Sequence, residues 1–349
     1  MVRRRHHGLG QRGQDHGRSQ IAADAGINTM TRPNRIYELL LDYAAGNTRV
    51  AELTVGLVWT VCKAQPDGGT ALGMAMSPGL PTRTLPWPGT LTGKTLGELA
   101  GWITDWEPYT ATVGMAAINC SLNARELPAS LTLQPAPGLG NLAVFEHFLP
   151  QLRGRKVVVI GRYPGIERYA EEIDLRIIER QPTAGDYPDP ACEFLLPDAD
   201  WVFLTASSLI NKTFPRLAEL SRDAVTVLMG PTVPWLPEFH DFGIDYLAGI
   251  EVTDATSLYR TAAEGGGVRI FENGARYRIV ELNPDNSMAW LKSQIAQCYA
   301  EKQQLTQAME AWYGAGNPGR YPEFTRLDQI TTRLSRMDSS YKNLWDAHH

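Results

Sequence analysis

The chain has 349 residues, of which 43% are hydrophobic and 20% charged, and its formal net charge is −5. That length exceeds one ordinary core and points to about two domains plus an appendage, at roughly 100–200 residues per domain. The acidic balance excludes a general nucleic-acid footprint, which needs a basic face for the phosphates. No apolar run approaches the ~18 residues of a membrane span, so the expectation is a soluble, cytoplasmic protein with neither nucleic acid nor membrane as a partner.

Residues 1–29 combine Arg, His, Gly and Gln with almost no large apolar side chains. Such a stretch forms no core, and without an apolar segment after its arginines it is not a secretory signal. It reads as a disordered tail or a start assigned too early, with Met30 opening the foldable sequence. Residues 34–45 set Ile36, Leu39, Leu40, Leu41 and Tyr43 at helical spacing and stop at Gly46. Residues 50–64 carry β-branched side chains in alternation and predict one strand, with residues 70–76 as its hairpin partner across Gly68 and Gly69. A short helix is expected over 96–103, and the small residues of 109–122 suit a closely packed helix. Together, residues 30–130 read as an α+β unit.

Residues 131–140, with Pro135, Pro137, Gly138 and Gly140, read as a linker. Beyond them a helix over 142–152 leads into KVVVIG at 156–161, the continuous apolar run of a parallel strand buried on both faces. Further strands at 175–179, 201–205, 224–229 and 246–252 alternate with helical intervals such as 212–220. That alternation predicts an α/β fold, a doubly wound parallel sheet over 141–283. Residues 286–311 and 324–347 predict two amphipathic helices around GAGNPGRYP, a C-terminal helical hairpin over 286–349. Its apolar positions, among them Leu291, Ile295, Cys298, Ile330, Leu334 and Met337, serve packing against the body, a homodimer, or docking of a protein partner.

Chemistry is expected at the carboxyl ends of the strands, where doubly wound sheets open their crevice. The turn Gly161-Arg162-Tyr163-Pro164-Gly165 follows the first buried strand. It is not GxGxxG, and Pro164 withholds a backbone donor, so tight NAD or FAD binding is not expected. A plain connection, or a helix N-terminus meeting a ligand's polar group, stays open. Glu179 ends the second strand where a ribose-binding acid would stand; it can instead pair with Arg180 or face water. The runs TASSLINKT at 205–213 and MGPTVP at 229–234 offer hydroxyl and amide groups that bind an anion, or cap a helix through Ser207, Ser208 or Asn211.

Metal donors are sparse. Cys62, Cys120, Cys192 and Cys298 lie far apart without a CxxC, so neither a disulfide framework nor a zinc site is legible and free thiols are expected. Of His147, His240, Cys192, Asp241 and Glu238, only Glu238 to Asp241 form a local group, and the His6-His7 pair reads as incidental. GxSxG, HExxH and GxxxxGK[ST] are absent, and no nucleophile stands beside a base.

The ordered strings VGLVWTV, GTALGMAMSPG, VGMAAINCSLN, KVVVIGRYPGIERY, LLPDADWVFLTASSLINKT and VLMGPTVPWLPEFHDFGIDYLAGIEVTD resemble the DUF364 family, the "putative heavy-metal chelation" domain, with its N-terminal DUF4213 partner. The resemblance runs over about residues 35–280. It implies an N-terminal domain similar to the enolase N-terminal fold over 30–130 and a Rossmann-like domain over 141–283. The positions matching the family's polar motifs are Asn119, Gly161, Glu179, Thr205, Asn211, Thr213, Gly230 and Pro231, which become the ligand-binding candidates. The implied function is binding of a heavy metal, a metal complex or another small molecule in the cleft between the two domains, accessory to metal or metallocofactor metabolism. The chain lacks the thiol and imidazole density of tight chelation, so a metal would use scattered donors or arrive inside an organic cofactor. Two alternatives stay open: an enzyme acting on a small substrate in that cleft, with Glu179 or a residue near Asn119 as acid or base, and a partner-docking protein acting through residues 286–349.

Overall fold

The structure, a computed structural model, describes residues 33–66, 69–81, 83–125 and 130–349. The N-terminal tail and Gly68 of the expected hairpin turn lie outside them. The chain begins with helix α1 (Arg35–Ala44) and a three-stranded antiparallel sheet of β1 (Val50–Val55), β2 (Trp59–Ala64) and β3 (Ala71–Met76). The single strand expected over 50–64 is therefore two strands. The chain reverses at Gly56, whose N–H donates to the Trp59 carbonyl at 3.1 Å, and a Cβ there would lie 2.3 Å from the Ala262 carbonyl oxygen. The turn is hidden in the sequence because Leu57 and Val58 prolong the apolar pattern, although Leu57 is 81% exposed.

Helix α2 (Leu96–Ala100) starts from a capping box, in which Thr95 Oγ1 accepts from the Glu98 N–H at 3.1 Å and Glu98 accepts from the Thr95 N–H at 2.7 Å. Helix α3 (Pro108–Asn123) starts from Glu107, whose carboxylate accepts from the Thr110 N–H at 2.7 Å. Ala111, Gly114, Ala116 and Ala117 of α3 are all buried, and such small side chains let the helix lie close on β3. The approach is tightest at Gly73, where a Cβ would sit 2.0 Å from the Cys120 nitrogen and 2.3 Å from the Ala116 oxygen.

The second sheet takes β4 (Leu131–Thr132), β5 (Lys156–Ile160), β6 (Asp174–Glu179), β7 (Tyr187–Pro188), β8 (Trp201–Thr205), β9 (Val225–Met229), β10 (Tyr246–Val252) and β11 (Ala275–Glu281), in the order β4-β11-β10-β9-β8-β5-β6-β7. Helices α4 (Ala143–Leu152), α5 (Cys192–Leu195), α6 (Ser207–Ile210), α7 (Phe214–Leu220) and α8 (Ala255–Ala263) connect these strands, and α9 (Pro284–Gly314) and α10 (Phe324–His348) follow. The strands from β10 across to β7 are parallel, but β11 is antiparallel to β10 and β4 antiparallel to β11. The sheet is thus mixed and not wholly parallel. The connection from Val252 through α8 ends at Ala275, which pairs with Val252 itself, so it returns to the end of the sheet it left and makes no crossover. The first residues of the expected linker form the edge strand β4, with Leu131 opposite Ile279.

Alternation along β5 divides the interior. Val157 and Val159 join Phe145, Phe148 and Phe203 on one face, while Val158 and Ile160 join Leu204, Phe214 and Leu228 on the other. The second core continues without a break into α1, α3 and the terminal hairpin, through Ile36, Leu40, Ile330 and Met337. Helix α10 is further tied to α1 by buried charges. The Arg333 side chain, 1% exposed, pairs with Asp42 at 3.4 Å and also donates to the Asp42 carbonyl. Arg336 donates to Asp42 at 2.9 Å and pairs with Glu238, whose carboxylate also accepts from the Tyr43 hydroxyl at 3.0 Å. The hairpin is therefore packed on the body. No described helix is long and apolar enough to cross a membrane.

Candidate functional site

From β5 the chain moves outward to β6 and β7, then returns to β8 on the other side of β5 and continues through β9 to β10. In open α/β sheets ligands bind at the carboxyl ends of the strands, where connections leave neighbouring strands in opposite directions. Gly161 stands at the end of β5 with φ 93°, and a Cβ there would lie 3.2 Å from the Thr205 Cβ at the end of β8. Both the left-handed backbone and the closeness of Thr205 therefore require glycine. Gly230, after β9, has φ 112° and donates its N–H to the Ala248 carbonyl at 3.0 Å.

Glu179 at the end of β6 is a brace for the first of these loops. One carboxylate oxygen accepts from the Arg162 N–H at 2.9 Å and the other from the Arg180 N–H at 2.8 Å. The Arg180 guanidinium turns away to Asp189 at 3.1 Å, and that of Arg162 pairs with Asp186 at 2.5 Å. Replacing Glu179 with glutamine leaves one acceptor for two donors. The expected result is faster amide hydrogen exchange at Arg162 or Arg180, with a local loss of about 1.5–3 kcal/mol, the scale of one hydrogen bond to a charged group. Unchanged exchange at both amides would rule out the bracing role.

Thr205 Oγ1 and Ser207 Oγ share a hydrogen bond of 3.0 Å. Tyr163, half-buried under the loop, donates to the Met229 carbonyl at 3.5 Å, and burial pushes its phenol well above the usual range, so it remains a neutral donor. The loop after β9 continues through Pro231 to Thr232, which meets the first sheet. The Met76 N–H donates to Thr232 Oγ1 at 3.0 Å, and Asn119 Nδ2 on α3 donates to the Thr232 carbonyl at 2.9 Å and to that of Met74 at 2.7 Å. Because both partners of that amide are carbonyls, its nitrogen must face them. Asn119 Oδ1 is left buried without a hydrogen-bond partner among the described residues, as is Ser208 Oγ.

Of the sequence-derived candidates, Gly161, Glu179, Thr205 and Gly230 stand at the ends of adjacent strands, and Pro231 follows in the same loop. Asn119 joins them through Thr232. Asn211 and Thr213 instead bind each other: Asn211 Oδ1 accepts from the Thr213 N–H at 3.1 Å and from its hydroxyl at 2.6 Å, which turns the chain into α7. Tyr163 and Thr232 were not among the eight ligand-binding candidates, although the turn at 161–165 and the run at 229–234 contain them. Tyr163 had a signal, its place inside the GRYPG turn; Thr232 had only a hydroxyl near a strand end, and its partner Met76 is 156 residues away.

No group of three or more His, Cys, Asp or Glu is placed to hold a metal ion among the described residues. Glu238 is committed to Tyr43 and Arg336, and Asp241 to Arg35 at 3.4 Å. All four cysteines are buried and free, and burial pushes the Cys192 thiol up to about 11. Cys62 and Cys120, far apart in sequence, come together across Gly73, the strand partner of Cys62. Contact with the Cys120 thiol, which itself donates to the Ala71 carbonyl at 3.5 Å, together with burial, raises the Cys62 thiol well above its usual range. The hydroxyls, amides and backbone groups at these strand ends do not fit a bare heavy-metal ion, which prefers thiolate or imidazole. A separate depression of about 540 Å³, lined by Arg153, Arg155, Asp200 and Trp201 among others, lies toward the opposite, amino ends of β5 and β8.

This is a mixed α/β protein whose parallel strands meet a smaller antiparallel unit at their carboxyl ends. The chain belongs to the DUF364 family. Residues 143–281 match DUF364 and residues 37–122 match DUF4213, each described as "Putative heavy-metal chelation". A solved DUF364 protein of unknown function from Desulfitobacterium hafniense is 30% identical with a TM-score of 0.59, covering 71% of this chain and 98% of its own. One from Pyrococcus horikoshii, at 23% identity, a TM-score of 0.59 and coverage of 71% and 99%, shares the fold. An uncharacterised protein of Methanocaldococcus jannaschii is 25% identical over 200 residues, 54% of this chain and 73% of its own length.

Proposed function

We propose that the protein binds a small organic molecule, or a metal already enclosed in an organic ligand, in the crevice bounded by Gly161, Thr205 and Gly230 and closed by Asn119 and Thr232. In this reading residues 30–130 are the enolase N-terminal-like domain, residues 141–283 the Rossmann-like domain, and the ligand lies in the cleft between them. The carrying observation is Asn119: its amide nitrogen is fixed by two carbonyls and its oxygen is left buried without a partner among the described residues, beside the loop after β9. A buried acceptor without a donor costs about 1–3 kcal/mol, which a ligand N–H or O–H would recover. Two glycines with left-handed φ further support the reading, since bare backbone admits a ligand closely. The family description concerns heavy metals, and the crevice chemistry favours a complexed metal over a free ion.

The test is native mass spectrometry with elemental analysis of the purified protein and of Thr205→Val, which keeps the β-branched shape and removes the hydroxyl. The expected result is a stoichiometric added mass on the parent, reduced at least severalfold in the variant at an unchanged melting temperature. Equal retention by both, or a metal bound in stoichiometric amount without organic mass, would overturn the proposal.

A further inference from the structure

Lys212 lies in the polar run that follows β8 and has no part in the crevice just described. It is the one non-glycine residue with positive φ among the described residues, at 67°. A lysine in the left-handed region is strained, and such outliers persist where the surrounding structure holds them, commonly at functional positions. The fold holds this one from two sides. Its own ammonium folds back to donate to the Ile210 carbonyl at 2.8 Å, and lies over the ring of Tyr37 on α1 at 5.9 Å. Tyr37 is itself anchored, its hydroxyl donating to the Leu209 carbonyl at 3.0 Å.

The amine thus sits half-buried against a neutral carbonyl and an aromatic face. Asp105, before α3, is the acid that faces it and favours its charge; Tyr37, whose hydroxyl burial keeps protonated, adds none. We propose that Lys212 is a reactive amine that captures a small aldehyde or ketone as an imine. The lone pair of the neutral amine attacks the carbonyl carbon, a C–N bond forms, and the carbonyl oxygen leaves as water with both amine hydrogens. No oxidant or reductant is needed. Burial, opposed by Asp105, lowers the Lys212 amine to about 8. A far larger fraction is therefore neutral at pH 7.5 than for an ordinary lysine near ~10.4.

The experiment treats the full chain with pyridoxal over pH 6.5–9.5, traps imines with borohydride and maps them by peptide mass spectrometry. Lys212 is expected to label about tenfold faster at pH 7.5 than Lys292 and Lys342, which are exposed on α9 and α10, with its rate rising to a half-maximum near pH 8. Lys212→Arg keeps a cation and is expected to lose this labelling. Lys212→Gly relieves the left-handed backbone, and is expected to lose the labelling while melting at or above the parent temperature. Either of two results overturns the proposal: labelling of Lys212 no faster than that of Lys292 and Lys342, or a melting temperature of Lys212→Gly lowered by more than about 5 °C, the mark of a structural clamp holding one turn in place.

Discussion

Exchange of Arg333 for methionine is expected to lower the stability of the protein by about 3 kcal/mol, at the lower end of the ~3–5 kcal/mol found when one partner of a buried ion pair is removed. The Arg333 side chain is 1% exposed and its guanidinium serves both the carboxylate and the carbonyl of Asp42. Methionine keeps the apolar stem in the core and removes the charge, so the loss measures the polar contacts and not a cavity. The lower end applies because Asp42 is 22% exposed and retains Arg336 at 2.9 Å. Chemical denaturation followed by circular dichroism checks the value. A loss below about 1 kcal/mol would reduce the contact to the standing of a surface pair. Because Asp42 is shared, Asp42→Asn and Arg333→Met are expected to be less than additive in the double variant.

The second large effect is expected at Gly73. A Cβ at this position would lie 2.0 Å from the backbone nitrogen of Cys120 and 2.3 Å from the oxygen of Ala116. Neither atom belongs to a flexible side chain, so α3 as a whole would have to lift off β3. Gly73→Ala is therefore expected to exceed the ~1–3 kcal/mol of ordinary overpacking, seen as loss of soluble protein or a strongly lowered melting temperature. Gly101→Ala is the control. Its backbone is right-handed and an added Cβ meets nothing within 4 Å among the described residues, so it is expected to be neutral or to gain up to ~1 kcal/mol from a less flexible unfolded chain. Equal behaviour of the two variants would show that the close approach of α3 does not limit stability.

Legibility of the fold follows burial. β5 was legible because both faces of Lys156–Ile160 are covered after its first residue, leaving an unbroken apolar run. β11 was not, since its sequence ARYRIVE intersperses arginines that suit a strand near the sheet edge, and it pairs antiparallel after a connection that contains helix α8. The turn at Gly56 was masked by apolar neighbours. The places of Gly161, Thr205 and Gly230 at strand ends could be read from the apolar runs before them, whereas Asn119 was singled out only through the family pattern. The other half of the Asn119 contact could not be read, because Thr232 lies 113 residues further along the chain and nothing local in either segment points to the other. Likewise Glu238 stood among the weak metal donors, whereas its partners Tyr43 and Arg336, 195 and 98 residues away, make it the acid of a structural network.

The tie between Arg333 and Asp42, 291 residues apart, also bears on the order of events during synthesis. Helix α1 leaves the ribosome early, but the guanidiniums that neutralise Asp42 arrive only when α10 emerges, roughly 15 s or more later at ~5–20 residues per second. Until then the buried partners of Tyr43 and Glu238 are incomplete, and the apolar side of α1 has no α10 to cover it. Closure between such distant segments is the slow, high-contact-order step of a folding reaction. Nascent chains stalled before residue 326 are accordingly expected to hold α1 in a protease-sensitive state, and chains released beyond residue 336 to protect it.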